Sequence, residues 1–216
     1  MSDQTPSRKR PLCAACLRPQ RTCICALAAP VPHDVDVVIL QHPLEVRQAK
    51  GSARLLHLCL PGSRLIVGEQ FSDAELAALL QAPDVSGRPR EAMLLYPALP
   101  HDSLPEAVDD GMCANPANLR LIVIDATWRK SRRMLYRNPA LAQLPRLSLS
   151  DPPPARYAIR QAHAPHQLST FEAVCAALAR LENAPNKYDG LLACFDSFVE
   201  LQQQLRINAG RMSEIV

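Results

Sequence analysis

The stretch Leu119-Arg120-Leu121-Ile122-Val123-Ile124-Asp125-Ala126-Thr127-Trp128 decides how this chain is read. Its first six residues are short, β-branched and dominated by apolar side chains, which predicts a strand covered on both faces, as in a parallel sheet. The apolar run stops at an acid, a hydroxyl and the only tryptophan of the chain. Ligands of open α/β sheets collect outside the carboxyl ends of strands, so Asp125, Thr127 and Trp128 are candidate site residues. A second reading stands beside the first: Asp125 or Thr127 caps the helix that follows, and Trp128 packs in the core. That helix, from about Trp128 to Arg137, carries Arg129, Lys130, Arg132, Arg133 and Arg137. It is either a solvated basic face or a phosphate-tracking face beside an active site.

Outward from this stretch, strands and helices alternate. Val35 to Leu40, Arg64 to Val67 and Glu91 to Tyr96 read as further strands. Helices are expected from about Arg47 to Leu60, from Ser72, from Ser169 and from about Asp189 to Arg206. Ser72 and Ser169 each have a glutamate three positions on, the spacing of a capping box. Strand-like pieces at Leu147–Leu149 and Tyr157–Ile159 flank a loop around Pro152, Pro153 and Pro154. The alternation predicts an α/β layer on a mostly parallel sheet. Three segments are expected: a mobile basic arm over 1–12, a cysteine unit over 13–27, and an α/β domain over 33–210.

At 216 residues, one large domain and a small appendage fill the chain. The seven glycines form no G-x-G-x-x-G and precede no P-loop Lys-Ser/Thr pair, so Rossmann and Walker nucleotide sites are excluded. A formal charge of +3 is compatible with nucleic acid and does not require it. Arg8, Lys9 and Arg10 lead into cysteines and not into an apolar signal core, which points to a cytoplasmic protein with no membrane partner.

Cys13-x-x-Cys16 and Cys23-x-Cys25 place four thiols within thirteen residues. Two chelating turns of this kind close around one tetrahedral zinc as a structural site, leaving no position for a catalytic water. A redox CxxC and unconnected thiols are the competing readings, and no thioredoxin-like strand precedes the motif. Cys59, Cys113, Cys175 and Cys194 are expected to be buried thiols. His163 and His166, an isolated pair beside Pro165, are read as loop residues.

Asp125-x-Thr127-Trp128 resembles the signature of the DTW-domain family, whose members are similar to bacterial tRNA-uridine aminocarboxypropyltransferases and their ribosomal-RNA-modifying relatives. Four further features agree in order: the cysteine cluster, His42-Pro43-x-Glu45, Leu95-Tyr96-Pro97, and Leu168-Ser169-Thr170-x-Glu172-Ala173. The resemblance implies transfer of the 3-amino-3-carboxypropyl group of S-adenosylmethionine to N3 of a tRNA uridine. It also implies a SPOUT-like fold with a C-terminal knot, in which irregular loops hold the cofactor. Carried over by position, Leu95, Tyr96, Pro97, Asp125, Leu168, Ser169, Thr170 and Glu172 would surround S-adenosylmethionine. His42, Arg129, Lys130, Arg132, Arg133 and Arg160 would meet tRNA. Ala158 stands where the family's Tyr157-x-x-Arg160 pattern commonly has a basic residue.

Asp125 is the candidate acceptor of the uridine N3 proton, since a carboxylate in a partly dry pocket has a raised pKa suited to that role. Thr127 would orient it or meet the cofactor carboxylate, and Trp128 would stack on uracil. The helix opened by Ser169 offers an amino terminus suited to a carboxylate, although the capping box alone also explains Ser169 and Glu172. Two rival readings are a SPOUT-like RNA methyltransferase and a zinc-bearing RNA-binding protein without catalysis.

Overall fold

The computed structural model describes residues 11–83, 87–97, 115–149 and 168–213, the side chains of 209–213 apart. Arg8 to Arg10, Cys113, the Pro152–Pro154 loop, the Tyr157–Ile159 piece, Arg160, His163 and His166 lie outside the described residues.

Five strands form one sheet: β1 (Asp36–Gln41), β2 (Arg64–Val67), β3 (Glu91–Leu95), β4 (Leu119–Asp125) and β5 (Arg146–Leu147). All pairings are parallel, in the order β2-β1-β4-β3-β5. The helices are α1 (Ala53–Cys59), α2 (Asp73–Gln81), α3 (Trp128–Arg137), α4 (Pro139–Ala142), α5 (Thr170–Leu181) and α6 (Asp189–Ser213).

Strand alternation sorts the core into two layers. Val37, Ile39, Met93, Leu121 and Val123 pack with α1, α5 and α6, where Phe171 stacks on Phe195 at 4.8 Å. Val38, Leu40, Leu94, Tyr96 and Ile122 pack with α2, α3 and α4. In this strand order the β1–β2 connection runs one way along the sheet, and the β2–β3 and β4–β5 connections run the other. Right-handed crossovers must therefore put α1 on one face and α2, α3 and α4 on the opposite one, as observed.

α1 starts six residues later than the expected Arg47. The reason is a contact from a distant part of the chain: Arg18 donates to the carbonyls of Ala49 (2.8 Å) and Gly51 (3.0 Å), which a helix would need as acceptors. α6 extends beyond the expected end at Arg206. Both capping boxes form, at Ser72 with Glu75 and at Ser169 with Glu172.

The amino ends of the strands are tied by Arg120, which is 2% exposed. It lies in register with Asp36, and its Nε donates to that carboxylate. Its remaining nitrogens donate to the carbonyls of Leu79 (3.0 Å), Leu80 (2.8 Å) and Ala82 (2.7 Å), ending α2. Arg120→Leu takes the donor from the three carbonyls and leaves Asp36 to Arg64 and Arg90 alone, and should cost about 3–5 kcal/mol in urea unfolding. Arg120→Lys should recover little, because an ammonium lacks the guanidinium fork.

Candidate active site and cysteine centre

Connections from β1 and β4, which are neighbours in the sheet, leave to opposite faces. This is a topological switch point, the place in open α/β sheets where a crevice forms outside the carboxyl ends. Asp125 closes β4 there and lies in register with Gln41, the last residue of β1. Gln41 Nε2 donates to Asp125 Oδ2 at 3.0 Å, and the His42 amide donates to the Asp125 carbonyl at 3.0 Å. Asp125 is 6% exposed, so its carboxylate is aimed and largely shielded from water. Gln41 escaped sequence reasoning. The available signal was a polar residue ending an otherwise apolar strand.

His42 is buried. Its Nδ1 accepts from the Leu44 amide at 3.1 Å, which puts the proton of a neutral ring on Nε2, 3.7 Å from Glu69 Oε1. Thr127 occupies the N-cap position of α3 with extended backbone, but its hydroxyl makes no capping bond. Trp128 is 46% exposed, so the alternative of a packed core tryptophan does not hold. Its ring instead meets Tyr96 edge-on, with centroids 5.8 Å apart at 75°. Tyr96 is buried, 3.1 Å from the Ser131 hydroxyl through its own, with the Arg146 guanidinium over its ring at 5.4 Å. Leu95 is half-buried and Pro97 is exposed beside it.

On α5, Ser169 and Glu172 are buried and bonded to one another: the Ser169 amide donates to Glu172 at 2.8 Å and the Glu172 amide to Ser169 Oγ at 3.3 Å. Leu168 and Thr170 flank them, half-buried. Glu182, just past α5, accepts from the amides of Asp34 and Val35 at the amino end of β1. A twelve-residue helix rises about 18 Å, close to the ~20 Å of a six-residue strand. The Ser169 end is thereby carried toward the carboxyl ends of the strands.

α3 lies across those carboxyl ends. It leaves β4 at Thr127, and Lys130 reaches Glu45 after β1 at 2.7 Å. Arg133 (2.8 Å) and Arg137 (3.4 Å) reach Glu69 after β2. Asn138 then fixes the same loop, accepting from the Phe71 amide and donating to the Glu69 carbonyl, both at 2.9 Å. Three of the five cations therefore meet two carboxylates, and Arg129 and Arg132 lie on the exposed face. Glu69 carries no motif that would have marked it in the sequence.

The ligand sulfurs of Cys13, Cys16, Cys23 and Cys25 all lie within 4.8 Å of one another. The Cys13–Cys25 and Cys16–Cys23 separations of 3.6 and 3.7 Å are close to the ~3.8 Å edge of a tetrahedron with 2.3 Å metal–sulfur bonds. The donor set thus fits a tetrahedral dication. Backbone amides of Cys16 and Ala15 hold the Cys13 thiol down at about 6, whereas burial and neighbouring thiols push Cys25 up to about 12. A bound dication would override the second effect, because a coordinating thiol is deprotonated outright. Cys16 and Ile24 are buried in the same apolar cluster as α1 and α6. Of the other thiols, Cys59, Cys175 and Cys194 are buried as expected.

The chain is 29% identical to tRNA-uridine aminocarboxypropyltransferase 2 of Macaca fascicularis and 31% identical to that of Mus musculus, each over 92% of its length. It spans 66% and 65% of the length of those two proteins. To the Drosophila melanogaster protein of the same name it is 33% identical, over 83% of this chain and 70% of that one. No solved structure matches it. The model of the DTW domain matches residues 10–203, a span that holds the cysteine centre, the switch-point crevice and the α5 amino terminus alike. With its signature residues closing β4 at that crevice, the chain belongs to the DTW-domain family.

Proposed function

We propose that this chain transfers the 3-amino-3-carboxypropyl group of S-adenosylmethionine to N3 of a uridine in tRNA, releasing methylthioadenosine. The observation that carries the reading is the family's Asp-x-Thr-Trp signature at the switch-point crevice, together with relatives named for this reaction. The crevice suits the donor: a buried carboxylate, an uncommitted hydroxyl position and an exposed indole at one strand end, with a helix amino terminus carried toward them.

When bound, S-adenosylmethionine supplies a carbon activated by its sulfonium. Asp125, aimed by Gln41, would accept the N3 proton of uridine, and the donor would supply the carbon that N3 takes, with methylthioadenosine as the leaving group that keeps the carbon–sulfur electron pair. Trp128 stacks on uracil, and Thr127 orients Asp125 or meets the cofactor carboxylate. Leu95, Tyr96 and Pro97 form one wall of the cofactor site. Leu168, Ser169 and Thr170 present the α5 amino terminus, stiffened by Glu172. Most of the acceleration then comes from holding nitrogen, carbon and sulfur in line.

The finer fold assignment is likewise a proposal: a SPOUT-like sheet with a C-terminal knot. The absence of any glycine fingerprint in a parallel α/β sheet supports it. The cysteine unit over 13–27 is proposed as a structural zinc site, and 33–210 as the catalytic domain. Arg129, Lys130, Arg132, Arg133 and Arg160, with the basic arm over 1–12, are proposed to meet tRNA phosphates. His42, buried beside Glu69, would shape the uridine side of the crevice. Among the described residues no helix is long and apolar enough to cross a membrane, and we place the protein with its substrate in the cytoplasm.

Incubation with unmodified tRNA and S-adenosylmethionine, followed by nucleoside mass spectrometry, tests the reading. Aminocarboxypropyluridine and methylthioadenosine are expected in equal amounts. Methyluridine with S-adenosylhomocysteine would make the protein a methyltransferase. RNA binding with no modified nucleoside would make it an adaptor.

A further inference from the structure

The exposed face of α3 has an order that the count of its charges does not reveal. Trp128, Arg132 and Tyr136 recur every four residues, so they form one stripe along the helix. Trp128 is 46% and Tyr136 86% exposed. A bare tyrosine of that exposure needs a reason, because its ring contributes nothing to the core that Ser131, Met134 and Leu135 make on the opposite side. Lys130, Arg133 and Arg137 are paired with Glu45 and Glu69, Arg133 while still 58% exposed, and Arg132 lies on the exposed stripe between the two rings.

We propose that this stripe is a stacking platform for single-stranded RNA, with Tyr136 holding a base several nucleotides away from the one at Trp128. Eight helical residues separate the two rings by about 12 Å, three to four nucleotides at a stacked rise of about 3.4 Å. Arg132 lies midway, placed for the phosphates between them. Alternating aromatic and cationic side chains are the general means of holding an unpaired strand without reading its sequence, since every base has a π-face. A duplex presents no such faces. Because α3 crosses the carboxyl ends of β4, β1 and β2, a strand lying on it would pass along the crevice. Tyr136 is then an RNA-positioning residue of the site, and the substrate uridine is expected in a loop. The proposal rests on the reaction above only for the RNA's being tRNA.

Trp128 is the chain's sole tryptophan, so its fluorescence reports on this stripe directly. The full chain is titrated with an eight-nucleotide uridine-containing oligoribonucleotide and, separately, with a blunt RNA duplex, across a salt series. The single strand should quench Trp128 and bind more tightly than the duplex. Tyr136→Ala should weaken it about tenfold at an unchanged salt slope, since a stacked ring releases no counterion, and Tyr136→Phe should restore affinity to within about twofold. Arg132→Ala should instead reduce the slope by about 0.7. In turnover, Tyr136→Ala should raise KM for tRNA about tenfold and leave kcat near the parent value. Parental affinity in Tyr136→Ala, a slope change like that of Arg132→Ala, or duplex binding as tight as the single strand would each overturn the platform. The binding arm needs no cofactor. If it succeeds while no aminocarboxypropyluridine forms, the reaction assignment fails and the platform stands; if the nucleoside forms and Tyr136→Ala behaves as the parent, only the platform fails.

Discussion

Asp125→Asn should lower formation of the modified uridine about a hundred- to ten-thousandfold, the range expected for loss of a positioned proton acceptor. Binding of tRNA and the melting temperature should stay near those of the parent. Asparagine is the informative substitution because of the bond from Gln41. Its amide oxygen can still accept from Gln41 Nε2, as Asp125 Oδ2 does at 3.0 Å, while the amide cannot take up a proton. Asp125→Ala would confound the result, since a buried donor left without an acceptor costs about 1–3 kcal/mol by itself. The bond to the His42 amide comes from the Asp125 carbonyl and survives either change. Turnover within threefold of the parent would remove Asp125 as base and leave the remainder of the site assignment in place. A fall in kcat with KM for tRNA unchanged is the expected signature, since the carboxylate acts on the reacting atom and not on the RNA backbone.

Much of this site was legible because its parts are local. A strand run that ends in Asp125, a helix over Trp128 to Arg137 and two serine–glutamate capping boxes each depend on a few neighbouring residues, and all formed where the sequence put them. What was not legible depends on strand order. Gln41 and Asp125 are 84 positions apart and meet only because β1 lies beside β4. Glu69 matters because β2 lies beyond β1, which brings its following loop under Arg133 and Arg137. The exposure of Trp128 has the same origin: α3 turns across the carboxyl edge, so its first residue faces out where a lone tryptophan after an apolar strand also reads as core. The late start of α1 is a further case, set by Arg18, whose side chain arrives from the cysteine unit 31 positions earlier.

That contact links the proposed metal site to the fold, and it gives the second large expectation. Stripping the metal should lower the thermal midpoint by roughly 10 °C, and Cys16→Ser should do the same without chelator, because the cysteine unit is part of the core and not an ornament on it. Ile24 is fully buried and Cys16 is 3% exposed among α1 and α6 side chains. A fifteen-residue segment of this kind has no core of its own, so its docking depends on the ion, whose binding contributes about 10–16 kcal/mol in isolated zinc modules. The α/β domain keeps its own two layers, and only the docked part is lost. Burial of Ile24 alone is worth about 1.5–3 kcal/mol, and the Arg18 bonds and the Cys194 contact with the Leu27 carbonyl go with it. At 2–4 °C per kcal/mol for a domain of about this size, a loss of about 3–4 kcal/mol gives the stated shift. Metal analysis should find one zinc per chain. Reductant distinguishes the ion from paired disulfides, which it would break while leaving a thiolate–zinc site intact. A midpoint that holds on chelation but falls with reductant would replace the metal by disulfides. Activity should fall with the metal as well, since releasing Arg18 frees the carbonyls of Ala49 and Gly51 and with them the loop that sets Glu45 against Lys130 beside Asp125.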